Sequence, residues 1–156
     1  MLALDKKQIA EAFDKDEVLN VPDLRNVQSR FLDYFGWVHS SGHLGFIVLQ
    51  LPNGGQNRGI RMRRAKRTTK TPSMGMCFWC HHVHRKSGTA MFTVSVKGSR
   101  ERYFLGNVVR KDLDCSLRLR NLVQPDSFMP ETLSQQVKVW RMKRRMHKWL
   151  GRANQL

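Results

Sequence analysis

Residues 76–84 read Met-Cys-Phe-Trp-Cys-His-His-Val-His, and residues 106–117 read Gly-Asn-Val-Val-Arg-Lys-Asp-Leu-Asp-Cys-Ser-Leu. The first stretch holds a CxxC pair, Cys77 and Cys80, and the second holds the third cysteine of the chain, Cys115. A CxxC turn aims two thiolates at one point. A helix N-terminus offers a further ligand, whose negative charge the positive end of the helix stabilises. Between the two stretches, residues 90–96 (AMFTVSV) alternate, with Phe92, Val94 and Val96 on one face. Gly98-Ser99 turns the chain, and a return strand runs from Tyr103 to Val109. Asp112 has the character of an N-cap for a helix beginning at Leu113 that carries Leu117 and Leu119, which places Cys115 in its first turn. Knuckle, hairpin, helix is the order of a treble-clef zinc finger.

Upstream of the knuckle, residues 44–51 (LGFIVLQL) are rich in β-branched and aromatic residues and short enough for a strand. Pro52-Asn53-Gly54-Gly55 is a turn signal. Residues 58–64 (RGIRMRR) then alternate, with Ile60 and Met62 on one side and arginines on the other, so 44–64 reads as a β-hairpin. Residues 61–75 (RMRRAKRTTKTPSMG) form a basic connection without apolar period. Residues 5–18 read as a short polar helix with Ile9, Ala10 and Phe13 in a thin stripe, ended by Asn20–Pro22. A second helical pattern starts at Asp23 and places Leu24, Val27, Phe31, Leu32 and Phe35 three or four apart, with Gly36 as its stop. The last segment carries the clearest helical signal. Pro130 and Glu131 sit in its first turn, Val139, Met142, Met146, Trp149 and Leu150 share a face, and Gly151 stands as the stop. The expected architecture is α+β: a helical segment over 1–35, a treble-clef finger domain with β-hairpins over 36–124, and a basic helix over 125–156.

The charge of the chain narrows the function classes. Its 156 residues carry 28 Lys and Arg against 12 Asp and Glu, a formal net charge of +16. Self-repulsion of that size points to a polyanionic partner, nucleic acid first and a membrane surface second. No run approaches the roughly 18 apolar residues of a membrane-spanning helix. The opening residues MLALDKKQIAEAFDKDE contain acids early and no apolar signal core, so the expected setting is the cytoplasm without a membrane partner. Three cysteines in such a chain argue against a disulfide framework and for metal binding.

The stretch from Gly36-Trp37, through Gly59-Ile60-Arg61 and MCFWCH at 76–81, to GNVVRKDLDCSL at 106–117 resembles the FusB/FBP family. These are elongation factor G-binding proteins with a C-terminal treble-clef finger, and the likeness spans residues 30–122. The resemblance implies a protein that binds elongation factor G, associates with the ribosome and helps the factor leave. In some members this rescues translation from fusidic acid. The segment before the finger is much shorter here than the helical bundle of the longer resistance proteins, so the finger and the translation setting carry over better than the resistance. The family carries a C-x4-C pair where this chain has Arg110-x4-Cys115, so one zinc ligand is replaced.

Two arrangements remain open at that site. In one, zinc is held by Cys77, Cys80, Cys115 and a histidine, His84 having the chain length to fold back better than His81 or His82. In the other, the metal is lost and Arg110 with apolar packing holds the finger together. The expected nucleic-acid surface has three parts: Arg61, Arg63, Arg64, Lys66, Arg67 and Lys70 in the connection; Arg110, Lys111, Arg118 and Arg120 on the finger helix; and Arg141, Arg144 and Arg145 on the last helix. Trp79 is the expected exposed aromatic contact, with Trp37 and Phe78 in the core. No residues are expected to be catalytic: a nucleophile drawn from Cys80 and His82 or His84 lacks an acidic orienting partner, and a redox CxxC would want a βαβ context. A general RNA- or DNA-binding finger protein unconnected with translation is the alternative function.

Overall fold

A computed structural model describes residues 4–13, 20–24, 32–51, 55–66, 71–123 and 131–156. The elements in chain order are α1 (Lys6–Glu11), β1 (Tyr34–Val38), β2 (Leu44–Gln50), β3 (Asn57–Arg64), β4 (Gly75–Met76), β5 (Val83–His84), β6 (Thr89–Ser95), β7 (Phe104–Arg110), α2 (Cys115–Leu119) and α3 (Gln135–Arg152). Five strands make one antiparallel sheet in the order β1-β2-β3-β6-β7, and β4 pairs with β5 to form the small knuckle sheet. The hairpin expected over 44–64 is β2–β3, with Ile47 opposite Ile60, and the second hairpin is β6–β7, with Phe92 opposite Asn107. Arg63 and Arg64 pair with Thr93 and Phe92, which joins the two hairpins into one sheet.

The sheet has a core on each face. Ile47, Leu49, Ile60, Met62, Phe92 and Val94 face the three cysteines and α3, while Phe35, Trp37, Phe46 and Val48 face α1. β2 is buried on both sides, which explains why its sequence is a continuous apolar run and not an alternation. On the α1 side, Trp37 stacks on Phe46 at 5.3 Å between ring centroids and Phe13 meets both rings edge-on. The Gly59 amide donates to the Ala12 carbonyl at 2.9 Å. A Cβ at Gly59 would lie 2.6 Å from the Phe13 ring, so glycine lets α1 close on β3.

Four expected boundaries shift. The helix extended through Phe35 to a stop at Gly36 is instead strand β1 at its end. Aromatics at 35 and 37 alternate with Tyr34 and Gly36, and burial against both cores decides for period two. Residues 25–31 of that pattern, residues 14–18 of the first helix, Pro52, Asn53 and Gly54 of the turn, and Pro130 lie outside the described residues. The finger helix begins at Cys115, not Leu113, because Leu113 has φ 57° and cannot join a right-handed helix. The last helix begins after Ser134, whose hydroxyl accepts from the Val137 amide, and it runs through Gly151 to Arg152. Its expected apolar face is buried: Met142, Met146 and Leu150 have no exposed surface, and Val139 and Trp149 very little.

Candidate functional site

The knuckle is built by short hydrogen bonds. The Cys77 amide donates to the His82 carbonyl and the His81 amide to the Cys77 carbonyl, at 2.9 and 2.8 Å. His81 takes φ 63° to close this turn. The Phe78 amide donates to the Val108 carbonyl of β7, which docks the knuckle against the sheet. Cys115 arrives from the opposite side at the start of α2, and its amide donates to the Tyr34 hydroxyl at 3.2 Å. Tyr34 itself is buried against Trp79, and burial raises its hydroxyl well above the ordinary range.

The three sulfurs lie within 4.8 Å of one another, all buried, with Cys77 Sγ and Cys115 Sγ 3.6 Å apart. Thiolates about 2.3 Å from a tetrahedral zinc are separated by about 3.8 Å, so the spacing fits that ion. Hydrogen bonds from Cys115 and Cys77, with a further contribution from Arg110, pull the Cys80 thiol down from its ordinary value. Burial pushes Cys77 and Cys115 upward. Three soft donors enclosed at this spacing fit zinc: Cys77, Cys80 and Cys115 would hold it, and the ion would supply a structural crosslink between knuckle and helix.

The expected fourth ligand, His84, is not part of this cluster. Its ring stands edge-on to His82 at 4.7 Å and packs on Gly88, where a Cβ would come within 2.2 Å of His84 Nδ1. Among the described residues no imidazole joins the three sulfurs. Arg110, at the position where the resemblance implies a cysteine, is only 4% exposed, so it does not serve as an outward phosphate contact. Its Nε lies 3.5 Å from Asp114 Oδ1, and Asp114 Oδ2 also receives Arg118 Nε at 2.6 Å. Three thiolates around a divalent ion leave one negative charge, which a guanidinium beside the shell complements. Asp114 is therefore occupied by two arginines, and it makes no side-chain cap bond to α2.

The chain belongs to the FBP C-terminal treble-clef zinc-finger family. The family model matches residues 7–153, wider than the likeness seen in the sequence over 30–122, and so takes in α1 and α3. Among solved structures, the fusidic acid resistance protein FusC superposes with a TM-score of 0.60 at 14% identity, over 97% of this chain and 59% of FusC. At that identity the likeness shows the fold, and the chain spans well under two thirds of FusC. A search of curated proteins with the sequence finds no match.

The basic residues divide by what they already touch. Arg61 and Arg63 both reach Glu101, Arg120 makes two bonds to Asp33, and Arg141 bonds Glu131 and the Cys80 carbonyl. The bond from Arg141 holds the Glu131 carboxyl below its ordinary range. Arg64, Lys66, Lys111, Arg144 and Arg145 have no carboxylate partner among the described residues; Arg67 and Lys70 lie outside them. Trp79 is wholly buried, edge-on to Tyr34 and 5.8 Å from Trp149, so it offers no face to a base. Its neighbour Phe78 is 37% exposed where a core residue was expected, because the knuckle turn directs Cys77, Trp79 and Cys80 inward and leaves Phe78 on the outer side. Trp37 is buried as expected. The basic face read on the last helix also includes Lys148, which is exposed, whereas Trp140, 60% exposed on α3, and the exposed Arg152 were not assigned to the binding surface. The signal was present, since Trp140 and Arg152 both fall off the buried stripe of that helix.

No helix among the described residues is long and apolar enough to cross a membrane.

Proposed function

We propose that this chain is a cytoplasmic, non-catalytic translation factor that binds elongation factor G and contacts ribosomal RNA through its exposed cations. Family membership over nearly the whole chain, with the finger's sulfur cluster assembled, is the observation that carries this reading. The finger acts as a rigid support, and zinc on Cys77, Cys80 and Cys115 supplies its stiffness. Arg64, Lys66, Lys111, Arg144 and Arg145 are the phosphate contacts best supported, because among the described residues no carboxylate takes up their charge. Arg61, Arg63, Arg118, Arg120 and Arg141 contribute to the positive field while serving as internal ties.

The test is a pull-down of purified elongation factor G on the immobilised chain, paired with sedimentation of the chain with ribosomes at two salt concentrations. The expected result is capture of the factor and ribosome association that weakens as salt rises. Failure to capture the factor at low salt would remove the translation-specific part and leave a general nucleic-acid-binding finger protein. Failure to sediment with ribosomes would remove the RNA part.

A further inference from the structure

A groove of about 620 Å³ lies between β7 and one side of α3. Its floor is Leu105, Gly106 and Asn107, and its walls carry Phe78, Trp140 and five cations. Those are Arg141, Arg144, Arg145, Lys148 and Arg152, and no residue lining the groove is acidic. Arg141 is neutralised by Glu131. The other four have no carboxylate partner among the described residues, so their charge faces the groove uncompensated. The two aromatic rings are already positioned with cations: Arg145 Cζ lies 5.0 Å above the Phe78 ring and Arg144 Cζ 5.3 Å above that of Trp140.

We propose that this groove binds a single-stranded RNA segment, with Phe78 and Trp140 stacking bases and Arg144, Arg145, Lys148 and Arg152 holding phosphates. Charge complementarity calls for a polyanion. Aromatic faces backed by guanidinium planes select a polyanion that carries flat bases. A purely acidic peptide such as poly-glutamate would engage the cations and leave the two exposed rings uncovered. The volume falls within the ~300–1,000 Å³ typical of ligand clefts, which suits an unstacked nucleotide and part of its neighbour. Phe78 sits between the two knuckle cysteines, and Arg141 bonds the Cys80 carbonyl, so the metal site sets the position of one wall. The assignment names the RNA-contacting site of the function proposed above and rests on its RNA part, while capture of elongation factor G is read separately.

The experiment measures binding of a fluorescein-labelled ten-nucleotide single-stranded RNA to the full chain by anisotropy. A poly-glutamate peptide is the competing probe. Trp140→Ala is expected to weaken RNA binding roughly tenfold, as loss of a base stack does. Arg144→Glu with Lys148→Glu is expected to weaken it further and to flatten the log–log salt slope by about 1.4. Tryptophan emission supplies a second readout. Trp37 and Trp79 lie outside the groove and Trp149 lines it with only 4% of its surface exposed, so most of the quenching on RNA addition is expected from Trp140 and should be lost in Trp140→Phe. All three variants change exposed positions, and matching thermal melts establish that they fold. Undiminished RNA affinity in folded Trp140→Ala, or poly-glutamate binding tighter than the RNA, would overturn the proposal. Elongation factor G capture by Trp140→Ala that equals that of the unaltered chain, alongside lost RNA binding, would separate the groove from the factor's own docking surface.

Discussion

A methyl group at position 36 would lie 2.8 Å from the Leu113 carbonyl oxygen and 2.9 Å from its Cβ. Leu113 is in a left-handed conformation at the entry to α2 and is fully buried, so it has little freedom to retreat. Gly36→Ala is expected to destabilise the fold by about 1–3 kcal/mol, read as a lowered denaturant midpoint. The Arg110 side chain stands four residues before Cys115, where the resemblance implies a further cysteine, and its charge is partnered by Asp114. Arg110→Cys would restore the C-x4-C spacing, and Asp114 would keep Arg118. Zinc retention against a chelator is expected to improve by at least ~10-fold, checked by competition with a colorimetric zinc indicator. Unchanged retention would mean that position 110 does not face the shell.

Helix α3 is amphipathic, and its two sides separate stability from binding. Met146 is buried beside Met142, Leu150 and the cysteine cluster. Met146→Ala is expected to cost about 2–5 kcal/mol, because a well-packed site refills only partly. Chemical denaturation measures this, and the same melt should barely move for Trp140→Ala. On the opposite flank, His147 lines a cleft with Asp33, Arg120, Lys143 and Arg144. Burial first, and Lys143 second, hold its imidazole below the ordinary histidine range. The unfolded chain therefore takes up the proton first as pH falls through that range, and stability drops until the folded-state value is passed. Thermal melts at about pH 7.5 and 5.5 are expected to differ less for His147→Gln than for the unaltered chain. The dependence that remains has His81 as one source, since burial and the nearby Arg141 and Arg145 lower it too.

The sulfur cluster draws on the knuckle and α2 while sharing a core with the sheet and α3, so a metal bound there is linked to folding of the sheet and α3 as well. Chelation is expected to lower the thermal midpoint and, through Phe78, to weaken single-stranded RNA binding; calorimetry and anisotropy on the same sample check both. A chelated chain that melts unchanged would show that apolar packing alone holds the finger. With a net charge of +16, much of the field persists whichever cations are replaced, so single changes in the basic connection should alter salt dependence more than specificity.

The treble-clef order, both hairpins, the three cysteines that meet and the buried face of α3 were legible in the sequence, because each follows from local spacing: CxxC, period two, or period 3.6. The strand at 34–38 was not, since its aromatics also suit a helical stripe and only burial against two cores decides between them. Nor could spacing tell that Trp79 turns inward while Phe78 turns outward, or that Arg110 is drawn into a buried ion pair with Asp114. Which cations stay unpaired is likewise settled by distant carboxylates such as Asp33 and Glu101. Local pattern sets which elements form and which atoms are available as ligands. Side-chain direction and charge pairing depend on neighbours far along the chain, and those meet only once the sheet has closed.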